Sequence, residues 1–387
     1  LNDTDDSNSL LEVNVDNIAA QPYPMALWLA ENTPEDAVIA VHDVGMMRYV
    51  GERYTIDMVG LTTASAADYW RNGPGAVAEF LHTHDPQPDY VAAYTTARGL
   101  NYLEATDIYG ELLAEFSAQY DPADNVALGA EFQGIYRFEP VQRVDFPVQT
   151  AVWEQLSSRA VDGLPVLVDY VDVANLFSER DHDYHWQTTG NQAGFPTEVY
   201  QFSYDSCELP QTMQTESPCD VLDGGRRINT EERFTMSLRS SAGGAVLLTR
   251  LHPAFSGSFD VYVNDTYVAR RTIPMIPGRW LDVATFIPPE IIDGSTGVHF
   301  RIAPDVNNGF YMPYMHQLLQ LGSDELYRAW LEDSPRVTYQ DGAISLMALS
   351  FEQTADALAL ELIWQTDGTA YGDYRFFVHV YDDVNNT

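Results

Sequence analysis

Two stretches of this chain bring together groups that can do chemistry. His42 and Asp43 follow a short apolar run at residues 37–41, and Asp57 closes a second run that starts at Tyr54. Two carboxylates and an imidazole at strand ends can carry out acid–base work or hold a cation. A structural reading competes: Asp at a strand end often caps a turn by accepting backbone N–H bonds. The second stretch is Arg180-Asp181-His182-Asp183-Tyr184-His185-Trp186-Gln187. His182 and His185 are three positions apart with carboxylates beside them, a spacing that suits a metal if the segment is helical. Tyr184, His185 and Trp186 can instead line a carbohydrate site, because an aromatic face matches the C–H face of a pyranose. A surface loop with a half-buried tryptophan fits the same residues. Residues 307–314 (NNGFYMPY) are also rich in rings. Tyr311 and Tyr314, with Trp280, are candidates for glycan contact or for core packing.

Other chemistries lack a signature. There is no Gly-x-Ser-x-Gly elbow and no His-Glu-x-x-His pair. There is no Gly-x-Gly-x-x-Gly or Walker loop, so no nucleotide cofactor is expected. Glycosidase carboxylate pairs are spatial and leave no local pattern. Residues 2–7 (NDTDDS) offer oxygens at short intervals, as a calcium loop does. They lack its central Gly and distal Glu, so the run reads as a solvated terminus. Cys207 and Cys219 flank eleven polar, proline-containing residues. A disulfide there fits an oxidising compartment, with two unpaired thiols as the alternative. Asn2, Asn264 and Asn385 stand in Asn-x-Thr sequons, a pattern common by chance.

Charge restricts the partners. Acidic residues number 57 against 20 basic ones, for a formal charge of −37, and every basic residue is arginine. Nucleic acid is excluded as a partner, since its phosphates need a positive surface. An anionic membrane surface is disfavoured for the same reason. Self-repulsion of this size suits a saline medium, where the Debye length is about 8–10 Å or less. A salt-adapted cell-surface protein and an ordinary acidic proteome both fit.

The elements that must position these groups fall into four blocks. Residues 1–22 form a polar N-terminal segment. Residues 23–140 alternate strand and helix, which predicts a small α/β domain of three layers. Its predicted helices include 75–82 and 103–119, and its predicted strands include 37–41, 54–59, 90–94 and 134–138. In residues 141–333 helical periodicity fades and short alternating runs appear, at 166–170, 233–238, 245–251, 259–263 and 298–302. These predict a β-sandwich, with a hairpin turning at Asn264-Asp265. Residues 334–387 read as a partial second β unit with strands at 344–351, 357–363 and 374–381. At 387 residues two or three domains are expected. The chain starts at Leu1 without a leader, so a piece of a longer protein is expected.

One stretch carries a family resemblance. Residues 25–63 read as a helix stopped by Asn32-Thr33-Pro34, a strand ending in Asp43-Val44-Gly45, the aromatic-Gly spot Tyr49-Val50-Gly51, and a strand ending in Asp57-Met58-Val59-Gly60-Leu61. This pattern resembles the start of the extracytoplasmic region that follows the membrane helices of polytopic glycosyltransferases of the GT-C type, which use lipid-phosphate sugars. The resemblance implies a Rossmann-like domain without a nucleotide fingerprint, an extracytoplasmic location, and a catalytic carboxylate on membrane loops outside this chain. The next block resembles the jelly-roll modules of carbohydrate-active proteins. Leu362-Ile363-Trp364 and residues 376–380 resemble a module at the C-terminus of some large membrane glycosyltransferases. Together these imply a non-catalytic region that caps its own membrane domain or contacts a glycan or glycosylated acceptor. The alternative is a secreted cell-surface protein that binds carbohydrate or self-associates into a layer or filament.

Overall fold

The computed structural model of the 387-residue chain describes residues 2–94, 109–119, 121, 123, 125–138, 166–189, 195–203, 220–238, 244–278, 280–292, 294–306, 309–320, 337–339, 344–353 and 358–366. The acidic opening run is helical and not an open loop: α1 (Asn2–Ala20) leads through Gln21 into α2 (Pro22–Asn32). Asn14 ties α1 to the rest, its Oδ1 accepting from the N–H groups of Val126 and Ala127 at 2.9 Å each. At the end of α2 Thr33 is extended, as the residue before a proline must be.

Next come β1 (Val38–Val41), α3 (Val44–Tyr49), β2 (Tyr54–Asp57), α4 (Ala66–Asn72), α5 (Pro74–Thr83), β3 (Tyr90–Tyr94), β4 (Leu112–Ser117) and β5 (Phe132–Arg137). They build one sheet in the order β2-β1-β3-β5-β4. The first three strands are parallel, and β5 runs antiparallel to both its neighbours, β3 and β4. Period-two alternation feeds both faces. Ile39, Val41, Ala92 and Ile135 pack with Met25, Leu29 and Met47 of α2 and α3. Val38, Ala40, Val91 and Ala93 pack with Tyr69, Val77 and Leu81 of α4 and α5. Helices on both faces explain why β1 is a continuous apolar run. The predicted helix 103–119 is corrected over residues 112–117, which form β4. Pairing with β5 decides that segment, overriding its helical spacing.

The second block holds β6 (Val166–Asp172), α6 (Leu176–Asp181), β7 (His185–Gln187), β8 (Thr197–Ser203), β9 (Asp220–Arg226), β10 (Glu231–Ser237), β11 (Ala245–Leu251), β12 (Gly257–Val263), β13 (Thr266–Ile273), β14 (Leu281–Ile287), α7 (Pro289–Ile292), β15 (Gly297–Val306) and β16 (Pro313–Gln320). Two antiparallel sheets, β13-β12-β15-β10-β7 and β14-β11-β16-β6, face each other. Phe234, Phe259, Val261, Phe300 and Ile302 from one meet Leu247, Leu251, Val283 and Leu318 from the other. The β12–β13 hairpin turns at Asn264 and Asp265, with φ of 49° and 64°. Both are left-handed, as a type I′ turn requires.

The β8–β9 ribbon joins the two blocks by lying on α5. A Cβ at Gly75 would stand 2.2 Å from the Glu198 carbonyl oxygen, and one at Gly224 would stand 2.7 Å from that of Gly75. Only hydrogen fits at these positions, so helix and ribbon touch backbone to backbone. Val199 and Leu222 complete the α5-side core. On its other side the ribbon meets the sandwich, where Arg250 Nη1 lies 2.9 Å from Asp223 Oδ2. Beyond the sandwich, β17 (Val337–Tyr339), β18 (Ile344–Gln353) and β19 (Leu358–Thr366) form a three-stranded antiparallel sheet. The strand predicted at 374–381 lies outside the described residues. Among the described residues no helix is long and apolar enough to cross a membrane.

Candidate functional site

In the order β2-β1-β3 the connections from β1 to β2 and from β2 to β3 run to opposite sides of β1, so the carboxyl ends of β1 and β3 form a topological switch point. His42, Asp43 and Tyr94 stand there. Asp43 Oδ2 accepts from Tyr94 Oη, and from Gln133 Nε2 at 2.8 Å. Asp43 Oδ1 lies 3.1 Å from His42 Nδ1. The donors are themselves held: Gln133 Nε2 donates to Gln21 Oε1 at 3.1 Å, and Tyr94 Oη accepts from Gly129 N at 2.7 Å. Burial pushes the Asp43 carboxyl up, but the bonds from His42, Tyr94 and Gln133 outweigh it and hold the group below its ordinary value. Burial and the neighbouring Asp43 charge push the Tyr94 phenol up. In the neutral ring, an Nδ1–H given to Asp43 leaves the lone pair on Nε2. Its ring meets Trp70 and Tyr94 edge-on, at 5.1 and 4.7 Å.

Asp57 does not join this group. It is fully buried, and its oxygens accept from the N–H groups of Val59 and Gly60 at 3.0 Å each and of Thr62 at 2.6 Å. Asp57 is the acceptor that shapes its own turn.

The aromatic candidates of the sandwich lie mostly inside it. Tyr311 and Tyr314 are 0% exposed, and Tyr184 and Trp280 are buried. A ring without an open face cannot stack on a sugar, so the glycan role expected of these four is corrected to core packing. Tyr184 Oη donates to Glu232 Oε2 at 2.6 Å, and Glu232 Oε1 lies 3.1 Å from His316 Nε2 in the sealed interior. Trp186 is half-buried under the Arg226 guanidinium, 4.8 Å from its ring centre. His185 is exposed and pairs with Asp183. His182 turns elsewhere, to Asp169 at 3.1 Å and to the Ser178 carbonyl at 2.7 Å. The two histidines therefore do not converge on one metal. Cys207 and Cys219 lie outside the described residues.

Two constellations are assembled by the fold from residues far apart in the sequence. At the ribbon junction, carboxyl oxygens of Glu79, Asp172 and Asp223 lie within 4.8 Å of one another, all buried. They come from α5, β6 and β9, far apart in the chain. Arg226 grips Glu179 there through Nε at 2.5 Å and Nη2 at 2.6 Å. A separate cavity of about 350 Å³ opens at the amino-terminal end of β3, beside Asp89 and Arg137.

The second is the outer face of the five-stranded sheet. Inward Phe259, Val261 and Val263 leave Asp260 and Tyr262 pointing out. Tyr262 is opposite Tyr267 on β13 and Arg301 on β15. The Arg301 guanidinium lies 3.6 Å from the Tyr262 ring centre. Tyr267 is 53% exposed and meets Tyr262 edge-on at 5.6 Å. One rung away Arg270 forks onto Asp260 at 2.8 and 2.9 Å. The Arg270 hydrogen bond holds the Asp260 carboxyl below its ordinary value. The alternation that makes β12 readable as a strand also carries this signal, but which strands lie beside it is set by the fold alone.

Residues 14–149 match the profile of a family described as "Domain of unknown function (DUF8728)". Among curated proteins no match is found. Among solved structures, the chain is similar to a family GH115 4-O-methyl-α-glucuronidase, BtGH115A, at 11% identity and a TM-score of 0.20. That likeness covers 24% of this chain and spans only 14% of the glucuronidase. It is similar to a family 35 carbohydrate binding module from an environmental isolate, at 12% identity and TM-score 0.21, over 31% of this chain and 91% of the module. It is similar to the module CBM6cm-2 of Cellvibrio mixtus lichenase 5A, at 13% identity and TM-score 0.23, over 40% of this chain and 97% of that one. Likeness at this level reaches neither ligand nor activity.

Proposed function

We propose that this chain is a non-catalytic, carbohydrate-binding region of an acidic cell-surface protein, and that the outer face of its five-stranded sheet holds the glycan. The observation that carries this reading is the set of planar groups on adjacent rungs: Tyr267, the Arg301–Tyr262 stack and the Arg270–Asp260 fork. Open rings take the C–H faces of sugars. A guanidinium edge and an ionised carboxylate take pairs of hydroxyls through charge-assisted hydrogen bonds. Strands hold these groups more rigidly than loops would, which lowers the ordering cost of binding. The charge of −37 suits work in brine, where self-repulsion is screened. The test is a panel of soluble glycans titrated into the protein at high salt. Tyr267→Ala and Arg301→Ala are expected to weaken binding about tenfold each, roughly 1.4 kcal/mol, with the fold intact. A protein that binds no glycan contradicts the reading.

A second reading supplies the setting. The resemblance of residues 23–63 to the extracytoplasmic region of GT-C type glycosyltransferases supports a place beside a membrane domain, facing a glycosylated acceptor. Its motif residues stand at element ends: Thr33 after α2, Asp43 after β1 and Asp57 as the last residue of β2. Reading the gene upstream of Leu1 tests it. Repeated stretches of about 20 apolar residues are expected, and a lone signal peptide contradicts it.

A further inference from the structure

We propose that the switch point of the α/β domain is a second binding site, in which His42 Nε2 accepts a hydrogen bond from a hydroxyl of a neutral polyol packed against Trp70. The contrast between Asp43 and Asp57 carries the inference. Both follow strands of the same sheet. Asp57 spends its oxygens on its own turn, as a structural aspartate does. Asp43 precedes α3 yet gives that helix no side-chain cap. All its donors are side chains: His42 beside it, Tyr94 on β3 and Gln133 on β5. Gly129 and Gln21 fix two of those donors in turn. This shell shapes no turn. What it does fix is the orientation and tautomer of one imidazole, as outer-shell partners do for a working histidine. Asp43 is therefore a positioning residue, and His42 is the group that meets the ligand.

The surroundings select the ligand class. His42 and Asp43 keep 19% and 28% of their side chains open, and Trp70 is half-buried beside them. An ionised Asp43 in a chain of charge −37 disfavours anions such as phosphates. Its charge is already met by three donors, so an ammonium group gains little. An acceptor nitrogen beside an indole suits a hydroxyl on a compact carbon face. The site rests on the α/β domain alone, so its failure leaves the sheet-face reading untouched.

The test is NMR of the full chain labelled with ¹⁵N-histidine, with His42→Gln identifying one signal among nine histidines. The expected result has the proton of the neutral His42 ring on Nδ1, toward Asp43. Its signal shifts saturably with a neutral monosaccharide, at a dissociation constant on the order of 1–10 mM. Trp70→Ala abolishes the shift, Asp43→Asn changes the tautomer pattern, and Tyr267→Ala leaves both unchanged. If Asp43→Asn does not fold, Trp70→Ala at its half-open position still decides. No His42 shift with any neutral sugar overturns the inference, as does a shift that survives Trp70→Ala or one produced only by a sugar phosphate.

Discussion

The Arg301 guanidinium lies over the Tyr262 ring, 3.6 Å from its centre, with no hydrogen-bond partner among the described residues. Most other arginines of the described residues sit beside a carboxylate, as a threefold excess of acids makes easy. Arg301 is held flat against a ring, within electrostatic reach of Asp260, and the ring fixes the plane of its guanidinium. A half-buried cation–π contact at the surface is worth about 1 kcal/mol. Arg301→Ala is therefore expected to leave the denaturation midpoint nearly unchanged while weakening glycan binding. A large loss of stability would place Arg301 in the scaffold.

The junction is where the scaffold is vulnerable. Arg226 and Glu179 are buried, and the guanidinium donates two short hydrogen bonds to the carboxylate. Glu179→Ala strands the arginine charge inside, at an expected cost of about 3–5 kcal/mol. Urea unfolding measures it, and Trp186 fluorescence should shift, since Arg226 covers that ring.

Asp57→Ala removes the acceptor of three backbone N–H groups at once. With about 1 kcal/mol for each bond, the expected loss is roughly 2–3 kcal/mol by chemical denaturation. His42→Gln touches no such turn and is expected to cost under about 1 kcal/mol.

Acid sensitivity should come from His252. It is packed against the Tyr200 and Phe202 rings, and burial pushes its pKa down to about 4. The unfolded chain takes up that proton near pH 6.5. Between these values the unfolded state binds more protons, so stability is complete above about pH 6.5 and falls as pH drops through the window. His252→Phe is expected to lose ~3 kcal/mol less than the parent between pH 6.5 and 4, read from denaturant midpoints at each pH. His182 acts with the opposite sign. The Asp169 hydrogen bond raises its pKa, so its contribution is full below about pH 6.5 and is lost as pH rises through the folded value.

Much of the scaffold was legible because alternation and punctuation are local. The run at 37–41, the proline stop after Thr33 and the Asn264-Asp265 turn each depend on a few neighbouring residues. The segment 112–117 misled because its partner β5 is in another part of the chain. The sites were harder still. Tyr184 stands among polar neighbours and Tyr311 and Tyr314 in a ring-rich stretch, but all three rings are buried in the core, where Tyr184 meets Glu232 from a distant strand. Tyr262, Tyr267 and Arg301 meet only because β12 lies between β13 and β15. Asp43 and Asp57 look alike in sequence, and what separates them is Gln133 and Tyr94 from distant strands.

The most direct test of the central claim is glycan binding by the intact chain in high salt, compared with Tyr267→Ala and Arg301→Ala. Saturable binding by the parent, weakened about tenfold in both variants at unchanged denaturation midpoints, is the expected result. Binding that both variants retain in full, or no binding at all, would contradict the assignment of the sheet face as a carbohydrate site.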